Sequence, residues 1–262
     1  MKYAVVVPVY KESLTHSEEF SLKRCFKVLK KYPILLAYPK GLDVSAYLKL
    51  ALDFEISLNL ESFDDVSFFA DIVGYNKLML DKSFYERFID YDRILIYQTD
   101  CFVFEDKLAQ WVKFDYVGAP WIIGEEPRNL KLEQFKLWIK DKIKYRLGRP
   151  NDFDTVQFRV GNGGFSLRNP KLFVQLIDKF EKKGIIQKYR NPLSQYYLED
   201  VFWGVEVARH EKQFEVPNFY QALDFSFECL PRYCFKMNNK QLPFGCHAWG
   251  KYDFDFWKPY FE

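Results

Sequence analysis

The most constraining feature of this chain is a short apolar run near its start, YAVVVPV at residues 3–9. A run this short and this rich in β-branched residues is typical of a strand buried on both faces of a sheet. Similar runs follow at 34–38 and 93–97, and alternating apolar positions predict a half-exposed strand over 54–60. Helical patterns lie between these runs. The first ~120 residues therefore predict an α/β fold, with a mostly parallel central sheet flanked by helices.

Local signals predict where several helices begin. Thr15 and Glu18 have the spacing of a capping box, which predicts a helix over about 17–31. A short helix is expected over about 105–112, and a longer one over about 195–209. No internal repeat or linker interrupts the pattern, so we expect residues 1–262 to form one domain.

Charge and composition limit the possible functions. A net charge of +2 on 262 residues gives no reason to expect a nucleic-acid partner. No apolar stretch approaches the ~20 residues that cross a bilayer, and the N-terminal run is too short for a signal peptide. The five cysteines are odd in number and lack CxxC spacing, which is typical of reduced thiols. Together these features predict a cytoplasmic protein.

Asp100 follows the apolar run at 93–97, within the sequence YQTDC. Ligands of α/β sheets bind beyond the carboxyl ends of the strands, and hard divalent cations prefer oxygen ligands. Asp100 is therefore a candidate ligand for a cation held against a diphosphate. The alternative is that it only caps the turn after the strand.

The sequence GNGG at 161–164 removes side chains from several positions, so that backbone there can approach a ligand closely. It is equally compatible with a tight turn between two strands. The Lys-Ser/Thr pair of phosphate loops and the dinucleotide fingerprint are both missing, which argues against a P-loop kinase or a nicotinamide enzyme.

An acidic pair, Glu199 and Asp200, opens the helix predicted over 195–209. Acidic residues are common in a first helical turn because they complement the helix dipole. The functional alternative is a general base, since a carboxylate can take the proton of an attacking sugar hydroxyl.

His247 lies in the turn-like sequence GCHAW and is a candidate ligand, although a lone histidine is often structural. Aromatic residues make up 19% of the chain, and aromatic rings can form platforms for sugars. Trp121, Trp203 and Trp249 are candidates for that role on the acceptor side. Each could instead belong to the core.

Residues 130–147 predict a basic amphipathic helix, in which six cations surround Phe135, Trp138 and Ile139. Such a helix could lie on an anionic membrane surface, near a lipid-linked acceptor, or cover bound phosphates as a lid. The alternative is an ordinary solvated helix, since Glu133 and Asp141 interrupt the positive charge.

The order of VVVPVY, ILIYQTDCFVF, FDYVGAPW, GNGGFSLR, LEDVFWG and LPFGCHAW resembles a bacterial family of unknown function described as glycosyltransferase-like. The resemblance spans nearly the whole chain apart from roughly 122–154. More distantly, the motifs are similar to those of β-1,3- and β-1,4-galactosyltransferases. This implies a single GT-A-like domain, with a nucleotide-binding half at 1–120 and an acceptor-side half at 121–262. The latter would carry a basic helical insert at about 124–150.

The resemblance also implies roles for the donor-side residues. Asp100 would match the second acid of a DxD metal motif, with Gln98 replacing the first, so that metal is held more weakly or is dispensable. His247 would complete the shell of Mn²⁺ or Mg²⁺. Pro8, Val9 and Tyr10 would lie beside the nucleotide base.

On the acceptor side, the resemblance implies that Asp200 is the base of an inverting enzyme. Glu199 would hold an acceptor hydroxyl or orient the site, while Gly163 and Gly164 would border donor and acceptor.

We therefore expect a metal-assisted, inverting glycosyltransferase that acts on a nucleotide-sugar donor and a glycan or lipid-linked acceptor, in bacterial surface polysaccharide assembly. A retaining transferase on the same fold and a non-catalytic sugar- or nucleotide-binding protein remain alternatives. A metal-dependent phosphodiesterase or nuclease is disfavoured, because such sites need more clustered acids and histidines.

Overall fold

A computed structural model describes residues 1–124 and 126–261 of the chain. Its main element is a six-stranded sheet, whose strands are β1 (Tyr3–Pro8), β2 (Ile34–Pro39), β3 (Asn59–Phe63), β4 (Arg93–Tyr97), β6 (Tyr116–Val117) and β7 (Phe165–Arg168). Their order across the sheet is β3-β2-β1-β4-β7-β6. Strands β3, β2, β1 and β4 pair in parallel, whereas β7 runs antiparallel to both β4 and β6. The predicted mostly parallel sheet is confirmed.

Helices cover both faces of this sheet, because alternate residues of its central strands point in opposite directions. Val6 and Ile96 pack on one side, whereas Val5 and Leu95 pack on the other. The helices are α1 (His16–Leu29), α2 (Ser45–Leu52), α3 (Ile72–Leu78), α4 (Lys82–Glu86), α5 (Leu130–Arg146), α6 (Phe153–Val156), α7 (Pro170–Lys182), α8 (Gln187–Arg190), α9 (Glu199–Val201), α10 (Ala208–His210), α11 (Phe219–Phe225), α12 (Pro231–Met237) and α13 (Phe254–Trp257).

A second, three-stranded sheet lies beyond the carboxyl end of β4. It consists of β5 (Phe102–Val103), β9 (Gly245–Cys246) and β8 (Ser226–Phe227), in that order. Strand β9 pairs antiparallel with β5 and parallel with β8. This small sheet joins a segment of the first half of the chain to two segments near its end.

Several helix predictions are confirmed, and two other local predictions are wrong. The capping box of Thr15 and Glu18 is present at the start of α1. The strand predicted over 54–60 begins only at Asn59, because Glu55 adopts a left-handed φ of 57° in a turn that follows α2. The helix predicted over 105–112 is reduced to a 3₁₀ turn, Leu108–Trp111.

The helix predicted over 195–209 is a succession of short helical segments. A 3₁₀ turn (Gln195–Tyr197) precedes α9, and a π-helical segment (Phe202–Val207) connects α9 to α10. π-Helical turns occur frequently at functional sites. The acidic pair Glu199-Asp200 therefore begins an irregular helical run.

The cysteines are all free thiols, four of them buried and Cys229 half-buried, as expected for a reduced protein. None of the helices in the two described segments is long and apolar enough to span a bilayer.

Candidate active site

Two loops meet where the central strand β4 ends. Because β7 runs antiparallel to β4, the residues that precede β7 lie beside those that follow β4. The backbone N–H of Gln98 donates to the carbonyl oxygen of Gly164 at 2.9 Å. The large sheet thus places Gln98 and Asp100 beside the glycines of the GNGG sequence.

The small sheet adds residues that are distant in sequence. His247 directly follows β9, and Glu228 directly follows β8, which pairs in register beside it. Asp100 lies just before β5, which pairs with β9 from the other side. These three strands therefore bring Asp100, Glu228 and His247 together.

The imidazole of His247 is contacted on both of its nitrogens. Nε2 lies 3.2 Å from Oδ1 of Asp100 and 3.1 Å from Oε1 of Gln98. Nδ1 lies 3.1 Å from Oε1 of Glu228 and 3.1 Å from Nδ2 of Asn162. Each nitrogen thus faces one carboxylate, which fixes the orientation of the ring, and the amides of Gln98 and Asn162 lie in contact with the same two nitrogens.

These contacts determine the charge of the imidazole. Burial by itself lowers the pKa of His247, but hydrogen bonds to Asp100 and Glu228 outweigh it and raise the pKa to about 10. Burial also acts to raise the pKa of Asp100, yet the hydrogen bond and charge of His247 bring it below its usual value. At neutral pH, without metal, the pair is an imidazolium and a carboxylate.

The residues present fit a hard divalent cation. Asp100 Oδ1 and His247 Nε2 converge within 3.2 Å, and the Asp100 side chain is 53% exposed, so both atoms can face one ion. Cys101 lies within the same cluster, but its buried thiol donates to the carbonyl of Gly164 and its pKa is raised well above normal. In the absence of a cation this thiol is therefore protonated and hydrogen-bonded to the backbone. One carboxylate plus substrate phosphates is a usual arrangement for Mg²⁺, and the added imidazole suits a transition metal.

Gly163 and Gly164 allow other side chains to approach. A Cβ at Gly163 would overlap Oε1 of Glu199, and one at Gly164 would overlap Nε2 of His247. Asn162, at a left-handed φ of 64°, accepts a hydrogen bond from Gly164 N through its side-chain oxygen. The glycines are thus needed for packing between the two halves of the site.

The two acidic residues of the pair have different surroundings. Glu199 is 4% exposed and accepts a hydrogen bond from Nη2 of Arg168 at 2.9 Å. Burial raises its pKa while the charge of Arg168 acts to lower it. Its second oxygen, Oε2, is buried and has no hydrogen-bond partner in the part of the chain that the structure describes. One oxygen of Glu199 is therefore held by Arg168, and the net effect of its surroundings is a raised pKa.

Asp200 is half-buried, and its carboxylate accepts a hydrogen bond from the backbone N–H of Val201. Burial, together with the charges of Glu199 and Glu228, raises its pKa to about 7. A carboxyl group with that pKa can take up or release a proton near neutral pH.

These groups line one cleft of about 520 Å³. Asp200, Glu199, His247, Gln98 and the two glycines face it, together with Tyr75, Asn162, Trp121 and Glu228. Asp100 lines an adjoining pocket of about 480 Å³, which shares Ile72, Tyr75 and Gln98 with the cleft. Most of the predicted site residues thus line one of two adjoining cavities.

Pro8 and Tyr10 line the adjoining pocket, with Tyr10 largely exposed. The side chain of Val9 does not fit its predicted role. It is 2% exposed and packs in the core, so only the backbone of Val9 could lie beside a nucleotide base.

Among the three tryptophans, Trp121 alone lines either cavity. Trp203 has no exposed surface and stacks on Phe173 with ring centroids 3.6 Å apart. Trp249 is 7% exposed, and its Nε1–H donates to Cys101 O. The prediction that Trp203 and Trp249 contact a sugar is wrong, because both are core residues.

Sequence reasoning missed three residues of the cleft. Glu228 and Asn162 both contact His247, and the buried hydroxyl of Tyr75 has no hydrogen-bond partner in residues 1–124 and 126–261. Asn162 stands inside the noted GNGG sequence, where asparagine commonly adopts a positive φ. Glu228 and Tyr75 lie in segments without any local signal.

This fold is that of GT-A glycosyltransferases. Mouse xyloside xylosyltransferase 1 (apo form) is 10% identical, with a TM-score of 0.57 over 94% of this chain and 97% of that one. The galactosyltransferase LgtC, solved with donor and acceptor sugar analogues, is 13% identical, with a TM-score of 0.53 over 95% and 87%. The bifunctional glycosyltransferase WbbM (apo) is 14% identical, with a TM-score of 0.55 over 96% and 46%.

By sequence, the chain belongs to the family described as protein of unknown function DUF5672, which matches residues 57–247. No curated protein matches it. The distant similarity to β-1,3- and β-1,4-galactosyltransferases stays a prediction.

Proposed function

We propose that this protein is a glycosyltransferase that moves a sugar from a nucleotide-sugar donor to a glycan or lipid-linked acceptor. The observation that carries the proposal is the convergence of Asp100, His247 and Asp200 on two connected cavities. The GT-A fold supports it. Asp100 and His247 provide a place for a diphosphate with its cation, and Asp200 provides a proton acceptor. The proposal includes a cytoplasmic location and a role in polysaccharide assembly.

On the donor side, the pocket lined by Pro8, Tyr10 and Thr99 would hold the nucleotide. It opens beside Asp100, so the diphosphate would lie there with the donor sugar in the larger cleft. This arrangement supports the division into a nucleotide-binding half at 1–120 and an acceptor-side half at 121–262.

When bound, Mn²⁺ or Mg²⁺ would act as a Lewis acid that neutralises the leaving diphosphate. Asp100 Oδ1 and His247 Nε2 would hold it. Glu228 orients His247 through Nδ1, where Asn162 is also in contact. Gln98 Oε1 lies 3.1 Å from Nε2, the nitrogen that would face the cation.

On the acceptor side, Asp200 would accept the proton of the attacking hydroxyl, which is worth roughly 10²–10⁴ in rate. Its raised pKa suits this task near neutral pH. In an inverting displacement, the hydroxyl attacks the anomeric carbon opposite the leaving group. The O–C bond forms, the bond to the diphosphate breaks, and the proton moves to Asp200.

A thermal-shift screen of UDP-, GDP-, CMP- and dTDP-sugars with Mn²⁺ tests the proposal, because a ligand of the native state raises the melting temperature. We expect one nucleotide class to raise it and the matching sugar to be transferred or hydrolysed. Binding without turnover would favour a sugar- or nucleotide-binding protein. Product stereochemistry by NMR separates inversion from retention, and retention would place Asp200 towards the donor.

A further inference from the structure

Helix α5 is attached to the body of the protein along one face. Its buried Asp141 accepts hydrogen bonds from Arg159 at 2.9 Å and from Arg209 at 2.6 Å. One turn later, Lys144 forms ion pairs with Asp152 and Asp154. These contacts fix the rotation of the helix about its axis and so determine which side faces solvent.

The side opposite Asp141 carries an exposed apolar stripe. Residues three or four apart lie on the same face of a helix. The members of the stripe are between 38% and 65% exposed, and they are Leu132, Phe135, Ile139, Ile143 and Leu147. Trp138, at the edge of the stripe, is 46% exposed and stacks with Phe135. The helix therefore carries its apolar side chains mainly towards solvent, whereas only Leu130 and the ion-paired Asp141 are buried against the body.

Cations border this stripe. Lys131, Lys142 and Arg146 lie along one side of it, and none of them has an ion-pair partner among residues 1–124 and 126–261. The ammonium of Lys142 lies 3.7 Å from the ring centroid of Trp138. Lys136 borders the other side, paired with the exposed Glu133.

We propose that α5 lies on the surface of an anionic lipid bilayer, with the apolar stripe in the headgroup boundary and the cations at lipid phosphates. Exposed apolar side chains can enter the headgroup boundary of a bilayer, and each neighbouring Lys or Arg adds attraction to anionic lipid. A second copy of this chain fits less well, because facing stripes would bring like charges together, and charged residues are depleted in the centres of protein interfaces. Nucleic acid would leave the apolar side chains uncovered.

Flotation of the full chain with vesicles tests this. Vesicles of phosphatidylcholine with 30–40% phosphatidylglycerol (about a third anionic lipid) should bind the protein at low salt, with at least roughly tenfold weaker binding to pure phosphatidylcholine. Raising the salt should weaken binding through screening. Ile139→Glu/Ile143→Glu should abolish binding. Lys131→Gln/Lys142→Gln should weaken it roughly fivefold per cation removed.

The matched control is Leu52→Glu/Leu193→Glu, which places the same charges at other exposed leucines and should leave binding intact. Melting temperature and size-exclusion chromatography verify that each variant is folded. The proposal is overturned if the α5 variants float as the wild type does, or if both double-glutamate variants lose binding equally. It is also overturned if α5 instead mediates a dimer that Ile139→Glu/Ile143→Glu dissociates.

Discussion

Arg168 and Glu199 form an ion pair in the interior of the protein, with Nη2 of Arg168 2.9 Å from Oε1 of Glu199 and both side chains almost fully excluded from solvent. Arg168 also donates to Ser166 and Tyr85, so the guanidinium is held on several sides. The pair fixes the start of α9, where Asp200 follows. Both acidic residues line the cleft, but Glu199 is held by Arg168, whereas among the described residues the carboxylate of Asp200 accepts a hydrogen bond only from the adjacent backbone N–H of Val201.

Glu199→Ala should destabilise the protein, because it leaves the guanidinium of Arg168 buried without its counter-charge. A loss of about 3–5 kcal/mol in the free energy of unfolding is expected. Urea denaturation measures it. Glu105→Ala, at an exposed position paired with Lys107, is the control and should change stability by less than about 0.5 kcal/mol. Equal effects of the two substitutions would contradict the importance of the buried pair.

Gly164→Ala should disrupt the site, because the new Cβ overlaps Nε2 of His247 and crowds Gln98. We expect nucleotide affinity measured with Mn²⁺ by calorimetry to fall at least roughly tenfold, as expected when a site is misplaced by about 1 Å. Gly250→Ala is the matched control, since its Cβ would have no described atom within 4 Å. Unchanged affinity in Gly164→Ala would show that the loop is more adaptable than its packing indicates.

Asp100→Ala should raise the Mn²⁺ concentration needed for nucleotide binding, because it removes one of two protein ligands. An increase of roughly 10–100-fold is expected from losing a metal-site interaction. Asp64→Asn changes an exposed carboxylate that lines neither cavity and serves as the control. If chelation of metal and Asp100→Ala both leave nucleotide binding unaltered, the cation is dispensable, as Gln98 in place of an acid would permit.

Much of the fold follows from the sequence because it depends on local periodicity. The strands around Val6 and Ile96 are short, apolar and bounded by helices, which leaves few architectures. The grouping of Asp100 with His247 was reached through resemblance to known transferases, whereas the physical cause is the pairing of β5 with β9. Strands of two residues leave no detectable pattern, and so Glu228 went unnoticed.

The burial of the candidate tryptophans could not be predicted from the sequence. All three candidate tryptophans are largely buried, but only Trp121, which is 9% exposed, also lines the cleft. A single sequence gives the chemistry of an aromatic ring, but its exposure depends on which distant side chains cover it. Phe173, thirty positions from Trp203, is one such neighbour.

The raised pKa of Asp200, about 7, also has a consequence for stability. The unfolded chain ionises this group near pH 3.9, so between about pH 4 and 7 the folded state binds the extra proton. Stability contributed by this group therefore decreases as pH rises through that range. We therefore expect the free energy of unfolding of Asp200→Asn, relative to that of the wild type, to increase as the pH is raised from 5 to 8. If the difference in free energy of unfolding between variant and wild type does not vary with pH, the pKa of Asp200 in the folded protein is ordinary.

The rate should depend on the same ionisation in the opposite sense, because a base must be deprotonated to act. With Mn²⁺ saturating, so that protonation of His247 does not limit cation binding, kcat/KM should fall roughly tenfold per pH unit below pH 7 and level off above it. The pH at which kcat/KM begins to fall is measured with the best donor from the nucleotide-sugar screen. A profile that is flat from pH 5 to 8 would argue against Asp200 as the base.

The most direct measurement compares sugar transfer and nucleotide binding in Asp200→Asn and in the wild type. Asparagine keeps the shape of the side chain but cannot accept the proton, so transfer should fall roughly 10²–10⁴-fold while the affinity for the nucleotide diphosphate stays within about twofold. That separation would place the base at Asp200 in a working transferase site. If Asp200→Asn retains most of the transfer activity, the proposed catalytic arrangement is wrong.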